Sequence, residues 1–136
     1  MVLHIDGIPK AQPRPKAFLR GKRAGVYDPG TADGWKQIVW FTARQGRPET
    51  PHEGAVEVRM EFRLPRPKRL MRAKDADGQV PHTAKPDADN LAKAVLDVLT
   101  SVGYYRDDAQ VCLLSVSKVY HAKDAAPGAL VEVVER

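Results

Sequence analysis

The segment Asp87-Ala88-Asp89-Asn90-Leu91-Ala92-Lys93 sets two carboxylates two positions apart with a lysine four residues beyond the second, and another acidic pair, Asp107-Asp108, follows. Crowded carboxylates repel and raise one another's pKa unless a cation neutralises them. Their hard oxygens suit Mg²⁺ or Mn²⁺. Mg²⁺ takes few protein carboxylates and keeps waters and phosphate oxygens in its other positions. The spacing points to a divalent-metal site beside an ammonium group, a pairing suited to phosphate chemistry. Two plainer roles compete. Aspartate at a helix start is a favoured cap, and Asp89, Lys93 and Asp97, four residues apart, form a row that an ordinary salt-bridge ladder also gives. A cap and a ladder leave the second doublet unexplained.

The elements that must position these groups follow from hydrophobic periodicity. Leu91, Ala94, Val95, Val98, Leu99 and Val102 form one stripe, so a helix opens after Pro86 and ends at Gly103. Asp87 and Asp89 fall at its N-terminus, and Asp107-Asp108 precede a strand over Val111 to Tyr120. The site closes only if the chain returns along about fourteen residues of helix, roughly 20 Å. Trp35, Ile38, Val39, Thr42 and Ala43 define an earlier helix from Thr31, stopped by Gly46 and Pro48. Val56, Val58, Met60, Phe62 and Leu64 alternate with charged residues, the mark of a strand with one wet face. Residues 2–6 and Leu130 to Val134 read as outer strands, the latter paired with Val111 to Tyr120 through a turn at Pro127-Gly128. Pro9 to Gly30 is mostly loop with a short strand near Ala24 to Tyr27, and Pro65 to Pro86 is a long basic loop. The order β-β-α-β-α-β-β predicts a single α+β domain over 1–136, a mixed or antiparallel sheet with two helices.

The single Cys112 excludes an intrachain disulfide, and no Cys/His cluster offers a zinc set, so a reducing, cytoplasmic setting is expected. No apolar run approaches the roughly 18 residues of a membrane span, and the N-terminus lacks a signal-peptide pattern, so no membrane partner is expected. The net charge is +5, and it is segregated along the chain. Six basic residues fall in 10–23 with no acid among them, and seven in 59–74 against Glu61 alone. Basic loops flanking an acidic centre suit a polyanion. Arg14 and Lys16 in the first segment, and Arg66, Lys68, Arg69 and Arg72 in the second, are the candidate contacts to such a polyanion. Trp35 and Trp40 read as core, His82 as a solvated loop histidine, and Tyr104 and Tyr105 as candidates for stacking on a splayed base.

Taken together, Lys85-Pro86-Asp87-Ala88-Asp89-Asn90-Leu91-Ala92-Lys93, then Asp97, Leu99, Gly103 and Asp107-Asp108-Ala109-Gln110, resembles the signature of the RusA family of Holliday junction resolvases. The opening Gly7-Ile8-Pro9-Lys10-Ala11-Gln12-Pro13-Arg14-Pro15 is loosely similar to that family's start. The resemblance implies a small homodimeric, Mg²⁺-dependent endonuclease, with Mn²⁺ as a substitute, that nicks opposite strands of a four-way DNA junction. By position it implies Asp87, Asp89 and Asp108 as metal-binding catalytic acids, Lys93 as the basic catalytic residue and Asp107 as a neighbouring acid. The chain departs from compact family members in its long basic segment 65–86. It carries no mark of a phage, prophage or cellular host.

Two other classes remain open at this level. A non-catalytic DNA-binding protein would share the basic loops, and metal titration separates it. An Mg²⁺-dependent nucleotide phosphohydrolase would share the DxD, although a strand end followed by Thr is missing here; turnover of a small phosphate ester separates that one. For a dimer, Trp40, Phe41, Leu130, Val131, Val133 and Val134 are the expected interface residues.

Overall fold

The alternation over 56–64 produces the strand around which everything else is arranged. In the computed structural model, which describes residues 1–136, the chain runs β1 (Val2–Asp6), β2 (Lys16–Arg20), β3 (Arg23–Tyr27), α1 (Asp33–Gln45), β4 (Val56–Leu64), β5 (Val80–Pro81), α2 (Ala88–Val102), β6 (Val111–Tyr120) and β7 (Gly128–Glu135). It is one α+β domain. A five-stranded mixed sheet has the order β1-β7-β4-β6-β5, and β2 and β3 form a separate two-stranded ribbon.

β4 pairs parallel with β6 and antiparallel with β7. The expected hairpin between the last two strands does not form, because β4 lies between them. The reason is the crossover: β4, α2 and β6 make a unit whose helix packs back on the sheet, and such a unit delivers its second strand parallel to its first. Residues 121–127 then pass over to bring β7 to the other side of β4.

Both helices cover one face. Trp35, Val39 and Ala43 of α1 and Leu91, Val95, Val98 and Leu99 of α2 meet Leu3, Ile5, Val58, Met60, Phe62, Val131 and Val133 in a single core of 22 buried residues. The opposite face is wet and held by ion pairs. Arg59 of β4 pairs with Glu57 of the same strand at 2.8 Å and with Glu132 of the neighbouring β7 at 3.3 Å. Val131 and Val133 are thus core rather than interface residues, and β7, an interior strand, has no free edge. Gly103 ends α2 with φ 100°, the left-handed geometry glycine supplies at least cost. No helix is long and apolar enough to cross a membrane.

β6 is different from the other long strands. Beyond its pairing with β5 at Val119 and Tyr120, its outer edge carries no partner, and Cys112, Leu113, Leu114 and Ser115 are exposed there.

Candidate active site

Asp87 occupies the N-cap of α2, with extended backbone (φ −74°, ψ 146°), but its carboxylate caps nothing. Its ionic partner is Lys85 Nζ at 3.7 Å, and its side chain is about half exposed (48 %). The cap reading therefore fails for Asp87, leaving an anionic group at the positive end of a helix. Asp89, in the first turn, accepts from the backbone N–H of Asn90 at 2.9 Å and is exposed. Lys93 lies one turn on, with Nζ 3.3 Å from Asp97 Oδ1, and Asp97 also pairs with Lys36 of α1 at 3.7 Å. The ladder exists, but it is anchored in Asp97 and leaves Asp89 outside it.

The second doublet divides into two roles. Asp107 caps a 3-10 turn over Asp108–Gln110: its carboxylate accepts from Ala109 N–H at 2.8 Å, and Gln110 Oε1 accepts from the N–H groups of Arg106 and Asp107. Asp107 is committed, while Asp108 is exposed with no hydrogen-bond partner. Asp108 sits beside Tyr105, whose hydroxyl donates to the Leu96 carbonyl at 3.3 Å, so the doublet flanks the C-terminal half of α2. Asp87 and Asp89 are at the other end. β6 runs from the doublet back toward them, and Lys118 near its end donates to the carbonyls of Ala84 and Pro86 at 2.7 and 2.8 Å. From Val111 to Lys118 that strand covers about 23 Å at 3.3 Å per residue. No group of three acidic, His or Cys side chains within the chain is placed to hold a metal. The donor chemistry fits Mg²⁺, with two exposed carboxylates at one end of α2 and one at the other, but one chain assembles only the first pair.

Asp87 opens into a cleft of about 890 Å³ between the 8–14 loop and the start of α2. Lys10, Arg14 and Lys85 give it positive charge, and Gln12, His82 and Asn90 supply polar contacts. Gln12 is held by its own N–H, which donates to Asn90 O at 2.9 Å.

Several sequence expectations change. His82 is not a solvated loop residue; it is 8 % exposed, packs on Tyr120 with ring centroids 4.6 Å apart, and its Nδ1 has no partner. Burial, then nearby Lys118, holds its pKa below the usual histidine value. Tyr104 and Tyr105 are fully buried and cannot stack on a base: Tyr104 donates to Ala43 O at 2.6 Å, and burial pushes the Tyr105 phenol up to about 12. Arg66 is also buried, its guanidinium bound to the carbonyls of Leu70, Ala76, Gly78 and His121, so it organises the 65–78 loop and is not free for DNA. Lys68 and Arg69 are exposed on a 3-10 turn, and Arg72 pairs with Asp75 at 3.2 Å. Arg14 and Lys16 are exposed, Trp35 is core, and Trp40 is half-buried against Phe41 and Arg44.

Lys118 was missed by the sequence reading. Its signal was present: it shares the helix-facing side of β6 with Val116 and Tyr120, beside Phe62 in register, and a lone lysine on an inward face needs a polar partner.

The α+β domain thus brings exposed carboxylates at a helix N-terminus, a lysine one turn on and a cationic cleft together at one end of α2. The endodeoxyribonuclease RusA family model matches residues 6–133, and the chain belongs to that family. It is 38 % identical over 121 residues to the uncharacterized protein YqaN of Bacillus subtilis strain 168, covering 85 % of this chain and 84 % of that protein. It is 39 % identical over 51 residues to the crossover junction endodeoxyribonuclease rusA of Lactococcus phage r1t, covering 38 % of this chain and 39 % of the phage protein.

Proposed function

We propose that this protein is an Mg²⁺-dependent endonuclease that resolves four-way DNA junctions by paired nicks, acting as a two-fold dimer. The observation that carries the reading is the exposure of Asp87 and Asp89 at the N-terminus of α2, with Lys93 one turn on and Asp87 lining a cleft that also holds Lys10, Arg14 and Lys85. Exposed carboxylates two residues apart offer hard oxygen ligands that suit a divalent cation. The relative from phage r1t bears the name of a crossover junction endodeoxyribonuclease.

Asp87, Asp89 and Asp108 would hold the metal, with Mn²⁺ able to replace Mg²⁺. Bound there, the cation supplies positive charge to a phosphoryl oxygen and acidity to water near neutral pH. The chain's own groups do the rest. Lys93, freed from Asp97 by the approach of phosphate, places its ammonium against the charge that builds up as water adds to phosphorus and a sugar oxygen leaves. Lys10, Arg14 and Lys85 hold the strand in the cleft, and Lys118 fixes the approach to Asp87.

The division of the acids between the two ends of α2 accounts for the dimer. If two copies pair antiparallel along the free edge of β6, the start of one strand lies beside the end of the other. Asp108 of one protomer then approaches Lys85-Pro86-Asp87 of its partner, and two equivalent sites arise about one axis. Leu113, Leu114 and Ser115 become covered, which also removes an exposed strand edge. Two sites related by a two-fold axis match the pseudo-two-fold symmetry of a four-way junction.

The test is incubation of purified protein and Mg²⁺ with an end-labelled synthetic four-way junction beside a linear duplex of the same arms. Paired cuts in the junction alone are expected. Equal cutting of both substrates, or turnover only of small phosphate esters, would overturn the reading.

A further inference from the structure

The β2–β3 ribbon packs on itself and leaves both faces to solvent: nine of its ten strand residues are exposed, and Gly25 is half-covered by Phe18. Isolated two-stranded ribbons are marginal, and this one also exposes large apolar groups, with Leu19 at 75 % and Val26 at 69 %. Its register sorts the side chains. Lys16 lies opposite Tyr27, Phe18 opposite Gly25 and Arg20 opposite Arg23, which puts aromatic and cationic groups on one face. Ala17, Leu19, Ala24 and Val26 form the other, wholly apolar face. Phe18 and Tyr27 touch, with centroids 6.3 Å apart, and Phe18 lies so close over Gly25 that a Cβ there would stand 2.6 Å from the ring. Residues 16–27 contain Lys16, Arg20, Lys22 and Arg23 and no acid.

The ribbon is narrow at its tip and fixed at its root. Gly21, at φ +60°, and Lys22 turn the chain between the strands. At the root Gln12 Nε2 donates to Asp28 Oδ2 at 3.0 Å, while Gln12 N–H is bound to Asn90 O in the first turn of α2. The ribbon therefore rises from the lip of the cleft that contains Asp87, and five residues per strand carry it about 17 Å outward.

We propose that the β2–β3 ribbon is a strand-separating pin: its cationic, aromatic face follows the phosphates while Leu19 and Val26 enter the branch point of the DNA and replace base stacking lost there. The inference rests on the junction reading above. Charge complementarity selects the occupant. Four cations with no acid draw the ribbon to a polyanion and set it against the same ribbon of a second copy. An apolar wedge beside basic groups is how side chains unstack base steps, and a branch point exposes base-pair faces that a continuous duplex does not.

The test uses full-length protein, the double variant Leu19→Ser/Val26→Ser, and a four-way junction carrying 2-aminopurine at the branch point or in mid-arm. Both substitutions lie outside the core. In EDTA the parent is expected to raise branch-point fluorescence and leave the mid-arm probe unchanged, and the variant to lose that rise. With Mg²⁺ the variant should cut the intact junction about tenfold more slowly, because it lacks the apolar wedge that offsets unstacking at the branch point. It should cut a junction with mismatched branch-point pairs at close to the parent's rate. A variant that keeps the fluorescence rise, or is equally slow on both junctions, overturns the pin. So does a variant that sediments as a monomer where the parent is a dimer, which would make the ribbon an arm between chains. In each of those cases the parent still binds and cuts. Failure of the parent to bind any junction is a different result and removes the junction reading together with the pin.

Discussion

Lys118 and Pro86 are joined across the sheet and helix layers: Lys118 Nζ, at the end of β6, donates to the Pro86 carbonyl at 2.8 Å, directly ahead of the Asp87 carboxylate. A second bond to Ala84 O at 2.7 Å makes the lysine a two-point clamp on the segment entering α2. Lys118→Met keeps the stem and removes both bonds. Hydrogen bonds from a charged donor contribute about 1.5–3 kcal/mol, so melting temperature should fall by several degrees. If the clamp positions Asp87, the metal concentration needed for half-maximal cleavage should rise as well. A lower melting temperature with unchanged metal dependence would leave Lys118 a purely structural residue.

Asp89→Asn, Asp87→Asn and Asp108→Asn should each abolish cleavage while junction affinity stays within a few-fold, since the basic surface is untouched. The proposed two-chain site predicts a sharper result. Mixed and refolded together, Asp89→Asn and Asp108→Asn chains form heterodimers in which one site collects both substitutions and the other none, so nicking of one strand returns. Acids gathered within a single chain would leave that mixture inactive.

Lys93→Ala should lower turnover by about a hundredfold with little change in melting temperature, the cost of losing electrostatic stabilisation in the transition state. Lys93 is exposed and its ion pair with Asp97 is a surface contact of small worth. A fall in stability with activity following in proportion would assign it to the ladder alone.

Junction affinity should depend steeply on salt, and Arg14→Ala, Lys16→Ala and Arg69→Ala should each reduce the log–log slope by about one unit, as expected for one lost phosphate contact. Arg66→Ala should behave otherwise. Its four carbonyl partners lie within the protein, so the variant should lose loop order and melting temperature, with the slope unaltered by direct contact.

Much of this arrangement is written locally. The alternation over Val56–Leu64, the α2 stripe and the stop at Gly103 depend on neighbours a few residues away, and so does the placing of Asp87, Asp89 and Lys93 on one helix end. What the sequence concealed depends on distant partners. Tyr104 and Tyr105 look like exposed aromatics until Ala43 and Leu96 offer carbonyls to their hydroxyls. Arg66 is one of a run of cations until the 76–78 turn folds around it. The pairing of β6 differs from the expected hairpin because its neighbour is chosen by the α2 crossover rather than by the short turn that follows it. The ribbon was half seen, since exposed strands carry no core period to read. The separation of Asp108 from Asp87 was legible only as a distance to be closed, and one chain does not close it.

His82 makes a pH prediction. Burial, with Lys118 nearby, holds its folded pKa below the usual histidine value of about 6.5, so below that pH the unfolded chain binds more protons and stability rises with pH. Melting temperature should therefore fall as pH is lowered from about 6.5 through the folded pKa, and His82→Gln should flatten that part of the profile. A parent whose stability is level from pH 7 to 5 would contradict the buried, neutral histidine.

On the proposed pairing, the uncovered edge of β6 would also tie activity to supply. On the two-chain reading, well below the dissociation constant the number of complete sites falls as the square of protein concentration, so tenfold dilution removes roughly a hundredfold of the rate. A nuclease built this way is nearly silent as a trace and switches on as it accumulates. The strand that could recruit stray partners in a lone chain would then be used up by the event that arms the enzyme.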